Sequence, residues 1–343
     1  GALFHLGGHS LCGAIGVTGA YGAGAEMSDI QLGLIGAGRW GRIYMNTLDH
    51  MADVALSALA SSNPQSRDLV GEDVALHEDW QNLLTAGGID GVIVATPPAS
   101  HTEIVRAALE AGLPVLVEKP LTLDVDEARA LCDLAEHKDG LAMVNHIHLF
   151  SPAFRAMKSE AAKLGPVCHM ESEAGSQGPF RKATPVLWDW GAHDISMCLD
   201  LMGETPSDVS AHCLEMRETG EGPGAVFDLR LGFGDGNTDG VTAGIRIGNL
   251  LPWKRRRFCA AFDDGILVYD DLAVDKLSFI SASHETEIRA IAVAADPPLT
   301  CAVREFAQAI GAGSRSRESL QLGLLVVETL ARCEVALETP QPG

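Results

Sequence analysis

The chain has 343 residues, more than one ordinary core accommodates, and 46% of them are hydrophobic, as in a globular protein of two domains. Its 46 acidic against 25 basic side chains leave a formal charge of −21, which repels nucleic acid and anionic membranes over most of the surface. Apolar runs fall short of the roughly 20 residues a membrane span needs, and eight scattered cysteines, with no CxxC pair or metal-ligand spacing, read as reduced thiols of a cytoplasmic protein without a metal site.

Residues 1–27, rich in Gly and Ala and nearly uncharged, are expected to be a disordered tail or a start-site artefact outside the fold. Strand-like IQLGLI (30–35) then leads to a helix over about Arg39 to His50, and ALSALA (55–60) reads as a second strand. A helix near Asp79 to Thr85 precedes GVIVAT (91–96), a helix over Ser100 to Glu110, PVLVEK (114–119), a helix over Asp124 to Glu136, and LAMVNH (141–146). Near-continuous Val, Ile, Leu and Ala strands between helices predict an α/β, doubly wound (Rossmann) parallel sheet over residues 28–148. From 149 to 343 the order changes. A helix over Pro152 to Leu164 is followed by strands at 167–174, 209–216, 225–233, 240–248 and 266–272, turn-rich connectors such as GDGNTDG (234–240), and helices over 302–312 and 319–337, an α+β pattern. The run Lys254-Arg255-Arg256-Arg257 reads as a solvated strand edge, with an anion site as the alternative.

The first strand opens directly into Gly36-Ala37-Gly38-Arg39-Trp40-Gly41. In such a turn the first glycine permits the bend, the second lets backbone approach a pyrophosphate, the third lets helix pack on strand, and the helix N-terminus receives the negative phosphates. Gly36, Gly38, Arg39, Trp40 and Gly41 are therefore candidate cofactor residues. At the end of the second strand, where a carboxylate commonly holds the adenosine ribose, stand Ser61, Ser62 and Asn63, while Asp53 precedes the strand and so lies at the wrong edge. With that carboxylate missing and Arg67 available for a 2′-phosphate, the expected cofactor is NADP or NAD, with NADP favoured. Thr96, Pro97 and His101 of TPPASH and Glu118 and Lys119 of EKP end later strands at the same edge, where ligands of such sheets bind. His101 also fits a plain first-turn position.

In WDWGAHD (188–194), Asp189 and His193 are four apart and share one face of a helix, which taken alone reads first as a capping Asp and a satisfied His. GAGRWG (36–41), TPPASH (96–101), EKP (118–120) and WDWGAHD, in this order and spacing, resemble the Gfo/Idh/MocA oxidoreductases, which include glucose-fructose oxidoreductase and inositol dehydrogenase; the resemblance covers about residues 28–337. It implies a C-terminal domain with an open, mainly antiparallel sheet that often forms oligomer contacts, hence a homo-oligomer, dimer or tetramer, joined through that sheet. It implies Lys119, Asp189 and His193 around the reacting carbinol, with Asp189 orienting His193, Glu118 contacting the nicotinamide ribose or fixing Lys119, and the proton carried by lysine in some members and by histidine in others.

The chain departs from the family in the stretch Asn145 to Pro152, where many members have an arginine two residues before the proline. His146 and His148 either face the cleft or bridge the domains. Phe180-Arg181-Lys182 ahead of WDWGAHD looks like the branch acting on nucleotide-linked or acidic sugars, so His146, His148, Arg181 and Trp188 are the candidate substrate contacts. The implied activity is hydride transfer between NAD(P) and a secondary alcohol or ketone of a sugar, nucleotide sugar or polyol. The alternatives are a glycosidase or sugar-sugar oxidoreductase with tightly held cofactor, or a non-catalytic NADP-binding sensor.

Overall fold

The computed structural model describes residues 30–234, 240–283 and 287–338; the expected tail and residues 235–239 of the GDGNTDG connector lie outside the described residues. The first sheet holds β1 (Ile30–Ile35), β2 (Val54–Ala60), β3 (Ala75–His77), β4 (Gly91–Val94), β5 (Val115–Glu118) and β6 (Ala142–Asn145), all parallel, in the order β3-β2-β1-β4-β5-β6. Side chains alternate across it. Leu32, Leu34, Ile93 and Leu116 share a core with Tyr44 of α1 (Arg39–Leu48), while Val92, Val94, Val115 and Val117 pack with Leu83 of α2 (Trp80–Ala86), Ile104 of α3 (His101–Glu110) and Leu131 of α4 (Val125–Lys138). Burial on both faces is why these strands read as unbroken apolar runs. The strand order reverses between β1 and β4, and the crevice beyond their carboxyl ends is the natural ligand site.

The second sheet has eight strands: β7 (His169–Gln177), β8 (Asp208–Glu218), β9 (Pro223–Gly232), β10 (Thr242–Gly248), β11 (Leu250–Phe262), β12 (Gly265–Asp270), β13 (Leu277–Ser281) and β14 (Ile288–Ala290). Their order is β14-β13-β12-β11-β7-β10-β9-β8, antiparallel throughout except for β7 beside β10. One face is covered by α5 (Pro152–Leu164), α6 (Val186–Met202) and α8 (Glu318–Glu338). Helix α7 (Pro298–Gly311) returns to the first sheet, where Leu299, Ala302, Val303 and Phe306 join the core of Leu32, Leu34 and Ile93. No helix among the described residues is long and apolar enough to cross a membrane.

Four strands are absent from the sequence pattern. β3 and β14 have three residues each, too few for an alternation, and β13 is a short strand of mixed polarity. β11 is hidden because a proline and four consecutive basic residues interrupt its apolar positions. The basic run is not at a sheet edge: β11 lies between β12 and β7. Alternation splits it, so that Arg256 shares the covered face with fully buried Phe258 and Ala260, while Arg255 and Arg257 stand on the other face and Arg255 pairs with Glu173 at 3.3 Å.

Candidate active site

The glycine turn forms a cradle with two different tolerances. Gly36 has φ +103°, a conformation that favours glycine, and a Cβ built on Gly41 would lie 1.9 Å from the Gly36 carbonyl oxygen, so α1 closes on β1 only without a side chain there. A Cβ on Gly38 meets no protein atom within 4 Å, and no side chain caps α1, so its first amides face open space. That geometry fits a pyrophosphate. We expect Gly41→Ala to lower the melting temperature by several degrees through overpacking, and Gly38→Ala to melt as the wild type while binding NADH weakly, measured by thermal unfolding and by quenching of protein fluorescence.

From the cradle a cleft of about 550 Å³ runs over Ser61, Ser62 and Thr96 to Glu78 and Asp79. Arg39 is exposed at the start of α1, Trp40 is half-buried against the core, and Pro97 is exposed before the 3-10 turn at Pro98–Ser100. Arg67 and His101 are each bound to backbone carbonyls. The Arg67 guanidinium donates to the carbonyls of Val74 (2.9 Å), Val70 (3.4 Å) and Gly71, pinning that loop. His101 is fully buried, its ring nitrogens 2.9 Å from the Pro120 and Thr96 carbonyl oxygens, which ties the loop after β4 to the turn after β5.

Glu118 ends β5 buried, where Oε1 accepts from Tyr44 Oη (2.8 Å) and Asn145 Nδ2 (2.8 Å), and burial pushes its carboxyl up. It joins β5, α1 and β6. Lys119, the next residue, points across to the second sheet's helix α6 and donates from Nζ to Asp189 Oδ1 (2.9 Å) and to the Asp189 carbonyl (2.6 Å). Arg181 Nη1 donates to both oxygens of the same carboxylate at 2.9 and 3.0 Å. Burial works against an ionised Asp189, yet Lys119 and Arg181 together hold its carboxyl below the usual range. Asp189 therefore meets these two cations rather than His193: both residues project from α6, but Asp189 sits in its first turn, level with the end of β5.

His193, one turn along α6, is buried with Nδ1 unpartnered; burial and then the charge of Lys119 push its imidazole well below 6.5, so it is neutral at physiological pH. Its ring meets that of His148 edge-on at 5.2 Å, and His148 Nδ1 lies 3.0 Å from Tyr269 Oη on β12. Burial and Arg256 lower His148 to about 4, and burial and Lys119 lower His146, whose two ring nitrogens lack partners, to about 3. The structure thus gathers Lys119, Asp189, Arg181, His193, His148 and His146 at one junction. Trp188 is set apart: it faces α8, where its indole donates to Glu334 at 3.2 Å. Lys182 is exposed. Sequence reading missed Tyr44 and Asn145, which hold Glu118, and Tyr269, which meets His148; the only available signal was the polar Asn145 closing an apolar strand.

A parallel sheet with a glycine cradle at its switch point, whose Lys119 reaches across to the aspartate and histidine of a helix packed on a second, mostly antiparallel sheet, defines a dinucleotide-binding oxidoreductase. Comparison with known proteins agrees. Residues 30–146 match the family described as oxidoreductase family, NAD-binding Rossmann fold (GFO_IDH_MocA). The chain is 41% identical to a protein of Magnetospirillum magnetotacticum MS-1 described as an oxidoreductase, whose crystal structure superposes with a TM-score of 0.82 over 89% of this chain and 100% of that one. It is 25% identical over 207 residues to inositol 2-dehydrogenase of Rhizobium meliloti, covering 58% of this chain and 63% of that protein. It is 28% identical over 188 residues to UDP-N-acetylglucosamine 3-dehydrogenase of Acidithiobacillus ferrooxidans, covering 54% and 58%. The matched stretches thus span less than two thirds of these two dehydrogenases. The chain belongs to the Gfo/Idh/MocA oxidoreductase family.

Proposed function

We propose that the protein is an NAD(P)-dependent dehydrogenase of a sugar or polyol, in which Lys119, Asp189 and His193 serve the reacting CH–OH group. The observation that carries this reading is the Lys119–Asp189 ion pair across the two sheets, beside His193 with its Nδ1 unpartnered and beyond the carboxyl ends of β4, β5 and β6. When bound, the nicotinamide takes or returns the hydride. Lys119 has three N–H donors and Asp189 takes two, leaving the third for the substrate oxygen, where its charge stabilises negative charge as the hydride leaves carbon. Neutral His193 accepts the hydroxyl proton in the oxidation direction and returns it in reduction. Asp189, shared with Arg181, holds the lysine in place. Burial of Lys119, His146 and His148 excludes water from the junction.

The sequence favours NADP through Arg67, but three backbone carbonyls hold that guanidinium, and Glu78 and Asp79 bring acidic side chains to the cleft that a 2′-phosphate would enter. We therefore favour NAD, its adenosine ribose meeting Ser61 and Ser62. Fluorescence titration should give a dissociation constant for NADH at least ~10-fold below that for NADPH, the worth of about one charge-assisted hydrogen bond; tighter NADPH would reverse the assignment. The activity is tested with purified protein, NAD and NADP against a panel of inositols, hexoses and nucleotide sugars. Nicotinamide reduction that is lost in Lys119→Met is the expected result, and NADH binding without turnover of any CH–OH substrate would sink the reading. The free cysteines among the described residues support a reducing, cytoplasmic setting. Ile266 and Ile280, set among charged side chains on the uncovered face of the second sheet, support a homo-oligomer joined there.

A further inference from the structure

Arg256 is the member of the basic run that strand alternation turns inward. Its guanidinium lies over the ring of Trp190, with 4.7 Å from Cζ to the ring centroid. Arg256 Nη1 is buried and meets no acceptor, and Trp190 Nε1 is buried and unpartnered too. Two buried donors side by side that make no hydrogen bond are costly until an acceptor reaches them, because a guanidinium stays charged at every physiological pH.

The neighbouring charges do not fill that place. Lys119 and Arg181 share Asp189, whereas Arg256 has no ion pair among the described residues. Asp194 feels its charge and lines the same small cavity: one carboxylate oxygen takes the Ser172 hydroxyl, the other is buried without a hydrogen-bond partner, and burial pushes the group up to about 6. The Asp271 carboxylate is paired with Lys276 at 3.0 Å. Arg256 also belongs to the centre: it is among the charges that keep His193 and His148 neutral and Asp189 ionised. A chain of formal charge −21 repels an anionic substrate unless a local cation receives it.

We propose that Arg256 and Trp190 form an oxyanion subsite of the substrate cleft, so that the sugar or polyol carries a carboxylate or a phosphate. The guanidinium edge matches either group with two parallel hydrogen bonds, and the stacked indole fixes its plane. The assignment rests on the dehydrogenase reading and adds the substrate's charge to it.

The test uses NADH-loaded protein titrated with acetate and with inorganic phosphate, followed by tryptophan fluorescence and calorimetry, in wild type, Arg256→Met, Arg256→Lys and Arg255→Met. Saturable binding of at least one anion is expected in wild type and in Arg255→Met, the open-face control. It should weaken about 10–100-fold in Arg256→Met, as for a lost hydrogen bond to a charged group, and by less in Arg256→Lys. Acetate and phosphate distinguish a carboxylated from a phosphorylated substrate. No anion binding in wild type, or equal binding in Arg256→Met, overturns the subsite. Anion binding kept in Arg256→Met together with a lower melting temperature means that Arg256 is satisfied inside, through Asp194, and overturns it as well. If Arg256→Met does not fold, Arg256→Lys decides. Wild type that binds no NADH fails the dehydrogenase reading itself, whereas loss of the anion result in NADH-loaded protein removes the subsite alone.

Discussion

Lys119→Met should lower kcat by about 10²–10³-fold, the usual loss when one charged donor to a developing oxyanion is removed, while NADH binds as in wild type. The variant keeps the buried carboxylate partnered, because Arg181 still donates to both oxygens of Asp189, so the melting temperature should change little. Asp189→Ala has the opposite profile. It leaves two cations without their shared partner at a junction where the Lys119 and Asp189 side chains are only 5% and 12% exposed, and breaking a buried pair in this way costs about 3–5 kcal/mol. Stability and turnover should fall together there. Thermal unfolding beside steady-state kinetics separates the two variants; equal loss of stability in both would mean that Lys119 is a structural ion pair and not the oxygen's partner.

His193→Asn should lower kcat by about 10²–10⁴-fold, the range for a positioned proton acceptor, and wild-type oxidation should be flat through neutral pH. The sign follows from burial. The imidazole is held below 6.5, so the neutral form that accepts a proton persists on the acid side of neutrality, and kcat/KM falls only as pH drops below the ordinary histidine range. An acid limb at or above 6.5 would contradict this. Stability responds in the same window. His101, His146, His148 and His193 are all depressed, so their contribution is complete above the unfolded value near 6.5 and is lost as pH falls towards their folded values, about 4 for His148 and about 3 for His146. Each costs about 1.4 kcal/mol per pH unit within its own window. Glu118 and Asp194 are raised and act oppositely, the folded state gaining as pH falls from about 6 for Asp194 towards 3.8. Four imidazoles against two carboxyls leave a net loss. Denaturant midpoints should therefore decline as pH falls from about 6.5 to 5 and change little above that range.

The sequence by itself determined the class of fold and the ends of the strands that matter. Continuous apolar runs such as GVIVAT and VLVE can be buried only between two layers of helices, and the GAGRWG turn dictates a cradle because its glycines stand where side chains would collide or block approach. These are local signals, carried by periods of 2 and 3.6 and by single-residue sterics. Tertiary structure alone decided which polar groups meet. Asp189 is four residues from His193 yet pairs with Lys119, 70 positions away, because α6 docks its first turn against the end of β5. Arg67 was free in the sequence and is held by carbonyls in the fold, and Glu118, expected at the cofactor, is held by Tyr44 and Asn145. Arg256 looked like one charge of four on an edge, and became a lone inward cation because β11 is central and its neighbours alternate outward. A charged side chain's partner depends on which elements pack together, and packing is set by the sum of buried surfaces across the whole chain, which no short stretch contains.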